Sequence, residues 1–346
     1  MDKGQQKTEK LVKEIEQRIN KEYAKAEEEI EAKLDDYFRR FEIKDKKWQQ
    51  WVEDGTKTEK EYEAWRTSQM AVGREWQAKK DEIAHDLHNA NALAREIAQS
   101  QMPEIYADNF NFATYQIEHD AEIDTSFTLY SKESVNRLLA DDPDLLPAPS
   151  TKTLSRLAEA KEELWNKQQL QSVMLQGILQ GDSIPDLATR LSNTVGEKNR
   201  KSAIRNARTM ATGTQNAGRV NAYKRAEEIG VEVEQMWIAT MDNRTRHSHR
   251  WLDGEIRPVG ERFSNGCEFP ADPKGEPKET YNCRCTLRGI VKGLERRSGK
   301  YRDDSEIGDM SYEEWRDAKP VSRDILSQER KGKAIRAKEY NKYRKG

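Results

Sequence analysis

Between residues 8 and 53 the apolar side chains return in steps of three and four: Leu11, Ile15, Ile19, Tyr23, Ala26, Ile30, Leu34, Tyr37 and Phe41. That spacing holds them on one stripe of a single long helix, with Glu and Lys filling the other faces. Asp54-Gly55 stops the pattern, and a glycine there is a usual helix end. The pattern then resumes from about Thr58 to Gln101, with Tyr62, Trp65, Val72, Trp76, Ile83, Leu87, Leu93 and Ile97 on the apolar side. Two long helices joined by a short turn lie antiparallel and bury their stripes together. Composition agrees. Of the 346 residues 35% are charged and 35% hydrophobic, and the mean hydropathy is −1.05. So few apolar side chains line seams between helices and do not fill one large core.

Charge and cysteine usage exclude several classes. A net charge of −2 gives no global field pointing to nucleic acid, so any such contact has to be local. No run approaches the roughly 20 apolar residues of a membrane helix. The start, MDKGQQKTEKLVKEIEQ, has no apolar core of a secretory signal. Three cysteines cannot all pair with one another, which fits a reduced compartment in which thiols serve as metal ligands.

The expected fold is mainly α with a small α+β C-terminal domain. Residues 1–103 form the long helical hairpin. Residues 104–196 form a helical middle region, with helix near 105–119, an extended piece near 123–129, and helix again from Ser131. The run DDPDLLPAPS at 141–150 is a linker or pronounced turn. Helix returns from about Thr153 to Gly181, and Ser183 with Pro185 opens a short helix to Leu191. Residues 197–295 form a compact α+β domain, opening with a basic helix from Glu197 to Ile229. VEVEQMWIA alternates and is β-branched, hence a strand, and short strands and loops follow to Val291. Residues 296–346 are a charged basic tail.

Two basic stretches are candidates for sequence-independent contact with a DNA backbone. On the basic helix, which also carries Arg200 and Lys201, Arg205 and Arg208 share a face, and Arg219, eleven residues on from Arg208, nearly shares it. In the tail, Arg330, Lys331, Lys333, Arg336, Lys338, Lys342, Arg344 and Lys345 interleave with Tyr340 and Tyr343, against the single acid Glu339. A solvated helix face and a solubilising end are the competing readings.

Three ordered stretches carry a resemblance: AIRNARTMATGTQNAGRVNAYKRAEEIGV, MWIATMDNRTRHSHRWLDG and FPADPKGEPKETYNCRCTL. Together they resemble the Mu-F-like minor head proteins of tailed bacteriophages, also called phage head morphogenesis proteins. The likeness is close over 200–290. It extends loosely through NFNFATYQIE and IDTSFTLY upstream and MSYEEW downstream. Asp242, Arg244, His249, Asp253, Gly254, Asn282, Cys283 and Cys285 fall on the family pattern, whereas His247 and Cys267 are particular to this chain. The resemblance implies a structural, non-enzymatic virion component inside the head at the portal vertex, synthesised in the bacterial host cytoplasm. It implies binding to the portal protein, other head proteins and packaged double-stranded DNA, with a role in head morphogenesis, packaging or genome delivery. The same module recurs in toxin proteins, so the alternative is a metal-dependent enzyme or toxin-like effector delivered with the genome. About 55 residues follow Val291, fewer than a further independent domain needs.

Within these stretches two cysteines and two histidines sit in pairs one residue apart. On strands that spacing sends both side chains of a pair to one face. His249, or His247 in its place, with Cys267, Cys283 and Cys285 then makes a Cys3His set suited to zinc, and metal binding would add folding free energy to a domain poor in apolar residues. The competing reading packs the cysteines as small buried side chains and leaves the histidine to hydrogen-bond its loop. Catalysis by a Cys–His pair, or by His247 and His249 with Asp242, Asp253 and Asp272 around a metal, matches no recognised spacing.

Overall fold

The computed structural model describes residues 1–125, 127–142, 145–146, 156–293 and 310–321, with side chains from 161 onward in the fourth of these stretches. Most of the expected 141–150 linker and the basic tail from 322 lie outside the described residues. The chain divides into two compact units, each discontinuous in sequence. The first comprises Met1–Ile15, Ala98–Pro149 and Arg205–Gly346, the second Glu16–Ile97 and Ser150–Ile204. This division cuts across the four consecutive segments expected from sequence. The helices α1 (Lys3–Glu53) and α8 (Glu197–Glu228) each contribute substantially to both units.

The second unit is helical. It holds most of α1, then α2 (Glu59–Val72), α3 (Arg74–Gln99), α6 (Arg156–Gln180) and α7 (Ile184–Leu191). Thr58 and Glu61 form a reciprocal cap at the start of α2, satisfying two otherwise orphaned N–H groups. The expected single helix from Thr58 to Gln101 is two helices, because a break falls at Gly73 (ψ 141°). A Cβ there would stand 2.4 Å from the Gln69 carbonyl oxygen, so this close turn admits only glycine. Val72 beside it is exposed, as is Leu93, so neither joins the expected stripe. The core gathers Ile30, Leu34, Tyr37, Phe38 and Phe41 of α1 against Met70, Trp76, Ile83 and Leu87, with Leu170, Met174, Leu187 and Leu191 closing it. Trp76 is wholly buried, and its indole N–H donates to Gln171 at 3.1 Å.

In the first unit the middle of α8 is the central element: residues 211–220 are buried on every side. A helix buried all round tolerates no unpaired charge; TMATGTQNAGRVNAY carries a single charge, Arg219, and it is paired with Asp2. A Cβ at Gly218 would lie 2.8 Å from the Tyr106 carbonyl oxygen, so glycine lets α8 approach α4 (Met102–Asp120). After Gly230, at φ +95°, comes a three-stranded antiparallel sheet. Its order is β2 (Ile256–Pro258), β1 (Val233–Ile238), β3 (Thr286–Val291), with Trp237 opposite Leu287 and Gln235 opposite both Gly289 and Arg257.

The loosely matching stretches meet in this unit. Phe112 and Tyr115 of α4 pack on Tyr312 and Trp315 of α11 (Tyr312–Ala318), with ring centroids 5.1–5.5 Å apart. The expected extended piece at 123–129 reduces to a single parallel bridge, Leu129 to Val321, before Ser131 caps α5 (Lys132–Asp141). No helix among the described residues is long and apolar enough to cross a membrane.

Candidate functional site

The loop after β1 turns at Asp242. Its carboxylate accepts two bonds from the Arg284 guanidinium, at 2.6 and 2.7 Å, and one from the Arg244 backbone N–H. These bonds, those from Arg284 first, hold the Asp242 carboxyl well below the usual range. Asp253 accepts the Ala239 N–H at 2.9 Å, Gly254 adopts φ +82° and Asn282 φ +53°. The residues on the family pattern thus build turns, at backbone conformations favouring Gly or Asn.

The expected histidine geometry is corrected. His247–Trp251 is a short helix, α9, in which residues two apart point to nearly opposite sides. His247 faces outward against the exposed Trp251 ring at 5.8 Å, and His249 points inward with 2% exposure. Cys283 and Cys285 lie in the extended segment just before β3. Their one-apart spacing still brings both sulfurs to the imidazole. His249 Nδ1 is 3.4 Å from Cys285 Sγ and 3.6 Å from Cys283 Sγ, and all three ligand atoms lie within 4.8 Å of one another. Trp237 stands edge-on to the imidazole at 5.4 Å.

Sequence reasoning missed Glu279. It sits on a single helical turn, α10 (Pro277–Thr280), and its carboxylate meets His249 Nε2 at 3.1 Å and accepts from Ser248 at 3.0 Å. With Nε2–H donating to that carboxylate, Nδ1 is left facing the sulfurs. Burial pushes the Cys283 thiol well up. Cys285 is pulled below the usual thiol range by the hydrogen bond from Cys283 and by His249, against its own burial.

Cys267 stands apart from this trio. It is fully buried, and burial, then Asp272 and Glu279, push its thiol up to about 12. A Cβ on Gly275 would come within 2.5 Å of its sulfur, so it is fitted as a packed side chain. Among the described residues the other proposed metal partners do not converge with the histidines; Asp272 instead accepts the backbone N–H groups of Glu268 and Lys274. Arg246 and Arg250 donate to the carbonyls of Tyr281 and Asp242. A cleft of about 410 Å³ adjoins the site, lined among others by Ser248, Trp251, Glu255, Glu276 and Glu279.

On the basic helix, Arg205 and Arg208 are exposed, and Arg205 lies over the Tyr281 ring at 4.6 Å. Arg219 does not share their face with solvent. It is fully buried and held by Asp2, which reaches it from the start of the chain.

The ordered stretches and the His–Cys–Cys geometry can now be set beside known proteins. Residues 168–288 match the family model described as Phage Mu protein F like protein. Over those residues the chain is similar to that family. Among its relatives, minor head protein GP7 of Bacillus phage SPP1 is 27% identical over 250 residues, covering 70% of this chain and 77% of that protein. An NAD(+)–arginine ADP-ribosyltransferase, EFV, of Enterococcus faecalis is 31% identical over 207 residues, 58% of this chain. The chain spans only 40% of that enzyme's length. An uncharacterized protein of Bacillus subtilis, YqbB, is 27% identical over 165 residues, 46% of this chain and 48% of its own. No solved structure matches.

Proposed function

We propose that this Mu-F-like chain is a structural minor head protein of a tailed phage, working at the portal vertex in head assembly, packaging or genome delivery. The observation that carries the reading is its relationship to a minor head protein over 77% of that protein's length. The chemistry of the site supports it. A nucleophilic thiol needs approach by substrate, and Cys283, Cys285 and His249 are each 1–2% exposed. Such a trio pins α9, α10 and the start of β3 together. The partners are the portal protein, neighbouring head proteins and, through the basic tail, DNA without regard to sequence. The test is mass spectrometry of heads purified before and after genome ejection, with a portal pull-down. Presence in heads and portal binding are expected; absence from heads at every assembly stage refutes the reading.

A second reading rests on the relative named as an ADP-ribosyltransferase, which would make the chain part of a delivered effector. Incubating the protein with NAD and an arginine-containing acceptor decides it. Transfer of ADP-ribose would overturn the structural role.

A further inference from the structure

We propose that His249, Cys283 and Cys285 bind one zinc ion, with Glu279 positioning the imidazole. The inference rests on donor geometry and stands or falls separately from the head-protein reading. Tetrahedral zinc with sulfur at about 2.3 Å and nitrogen at about 2.0–2.1 Å sets a sulfur and a nitrogen about 3.6 Å apart. His249 Nδ1 lies 3.4 and 3.6 Å from the two sulfurs. Both nitrogen–sulfur distances are those a bound ion would set, and the two sulfurs lie within 4.8 Å of each other.

The surroundings are those of a ligand histidine. A metal-bound imidazole commonly gives its other N–H to a carboxylate, which fixes tautomer and ring orientation. Glu279 stands at Nε2, 3.1 Å away, and is itself held by the Ser248 hydroxyl. Charge agrees as well. Two buried thiolates are costly alone, and a dication neutralises them. Soft thiolate donors with one imidazole select zinc over magnesium or calcium. The chain supplies three donors, and the fourth position falls to a solvent molecule or another exogenous donor.

Binding releases the two thiol protons to solvent as both sulfurs become thiolates. The ion would join α9 to the segment entering β3, in a sheet otherwise of three short strands.

The experiment uses the full chain, purified without chelator, and measures metal content by mass spectrometry and cobalt substitution by absorbance. About one zinc per chain and a thiolate-to-cobalt charge-transfer band are expected. Cys267→Ser should keep both, whereas Cys283→Ser and Cys285→Ser should lose them. Because those variants risk unfolding, Glu279→Gln is the milder probe, with zinc affinity weakened about 10- to 100-fold and circular dichroism unchanged. A folded wild-type chain that takes up neither zinc nor cobalt overturns the proposal, as does a Cys267→Ser chain that loses the cobalt band. Unchanged affinity in Glu279→Gln overturns the positioning role.

Discussion

Removing the Asp2 carboxylate should destabilise the first unit more than any exposed charge change in the chain. Arg219 is fully buried and Asp2 is 13% exposed at its side chain, so solvent does little to screen the pair. All five guanidinium N–H groups are in use. Two go to Asp2 at 2.7 Å, two to the Asn109 side-chain oxygen at 3.1 Å, and one to the Leu287 carbonyl at 2.8 Å. Asp2→Ala leaves a buried cation with two orphaned donors, and breaking such a pair costs about 3–5 kcal/mol. Replacing both partners, as in Asp2→Leu with Arg219→Met, should recover most of that loss. Hydrogen exchange of β1 and β3 reads the first unit alone. For openings through global unfolding, protection in Asp2→Ala should fall by about a hundredfold or more.

The pH dependence of this pair has a definite sign. Burial alone raises the Asp2 carboxyl, but Arg219 outweighs it and the group sits below its ordinary value of 3.8. A depressed folded-state value contributes stability that is complete above the unfolded value and drains away as pH falls through the folded one. The advantage of the wild-type chain over Asp2→Asn should therefore hold at neutral pH and shrink below about pH 4. Strand protection in Asp2→Ala within about 1 kcal/mol of wild type would refute the clamp.

Glu118→Ala should loosen α11: Glu118 accepts from the Trp315 indole at 2.7 Å and Lys319 at 2.8 Å, and although Lys319 keeps Asp124, orphaning the buried indole N–H costs about 1–3 kcal/mol. Limited proteolysis near 312–318 should quicken, and an unchanged cleavage rate would count against the contact. If the tail from Arg330 engages duplex DNA with its eight basic residues, the log–log salt slope approaches roughly −7. Deleting 330–346 should flatten it, and an equal slope in the truncated chain would leave the Arg205–Arg208 face as the candidate.

What could be read from sequence was periodic or local. The stripe of α1, the caps at Ser131 and Ser183, the stop at Gly230 and strand β1 follow from neighbours a few residues away. Gly73 was illegible as a break because the apolar pattern continues on both sides of it. The turn of α9 is illegible because HSHRW is too short to display a period. Arg219 was placed on a solvent face because its partner lies 217 positions away. A signal was present, however: it is the only charge between residues 209 and 223, where an exposed helix would carry several. The cysteines and His249 were legible as a group, but Glu279 carried no pattern of its own.

The scattered make-up of the first unit bears on how the protein is made. Its pieces are residues 1–15, 98–149 and 205 onward, so Asp2 leaves the ribosome long before Arg219 or Leu287 exists. The second unit has all its chain once residue 204 has emerged, and domains generally fold as units during synthesis. The opening residues of α1 must therefore wait through most of translation for Arg219 and Arg284, the partners of Asp2 and Gln5. Non-local closure of that kind is slow. Residues 1–15 can be held by the segment at β3 only after it has emerged, and chains halted before β3 would have every residue of the second unit but not of the first.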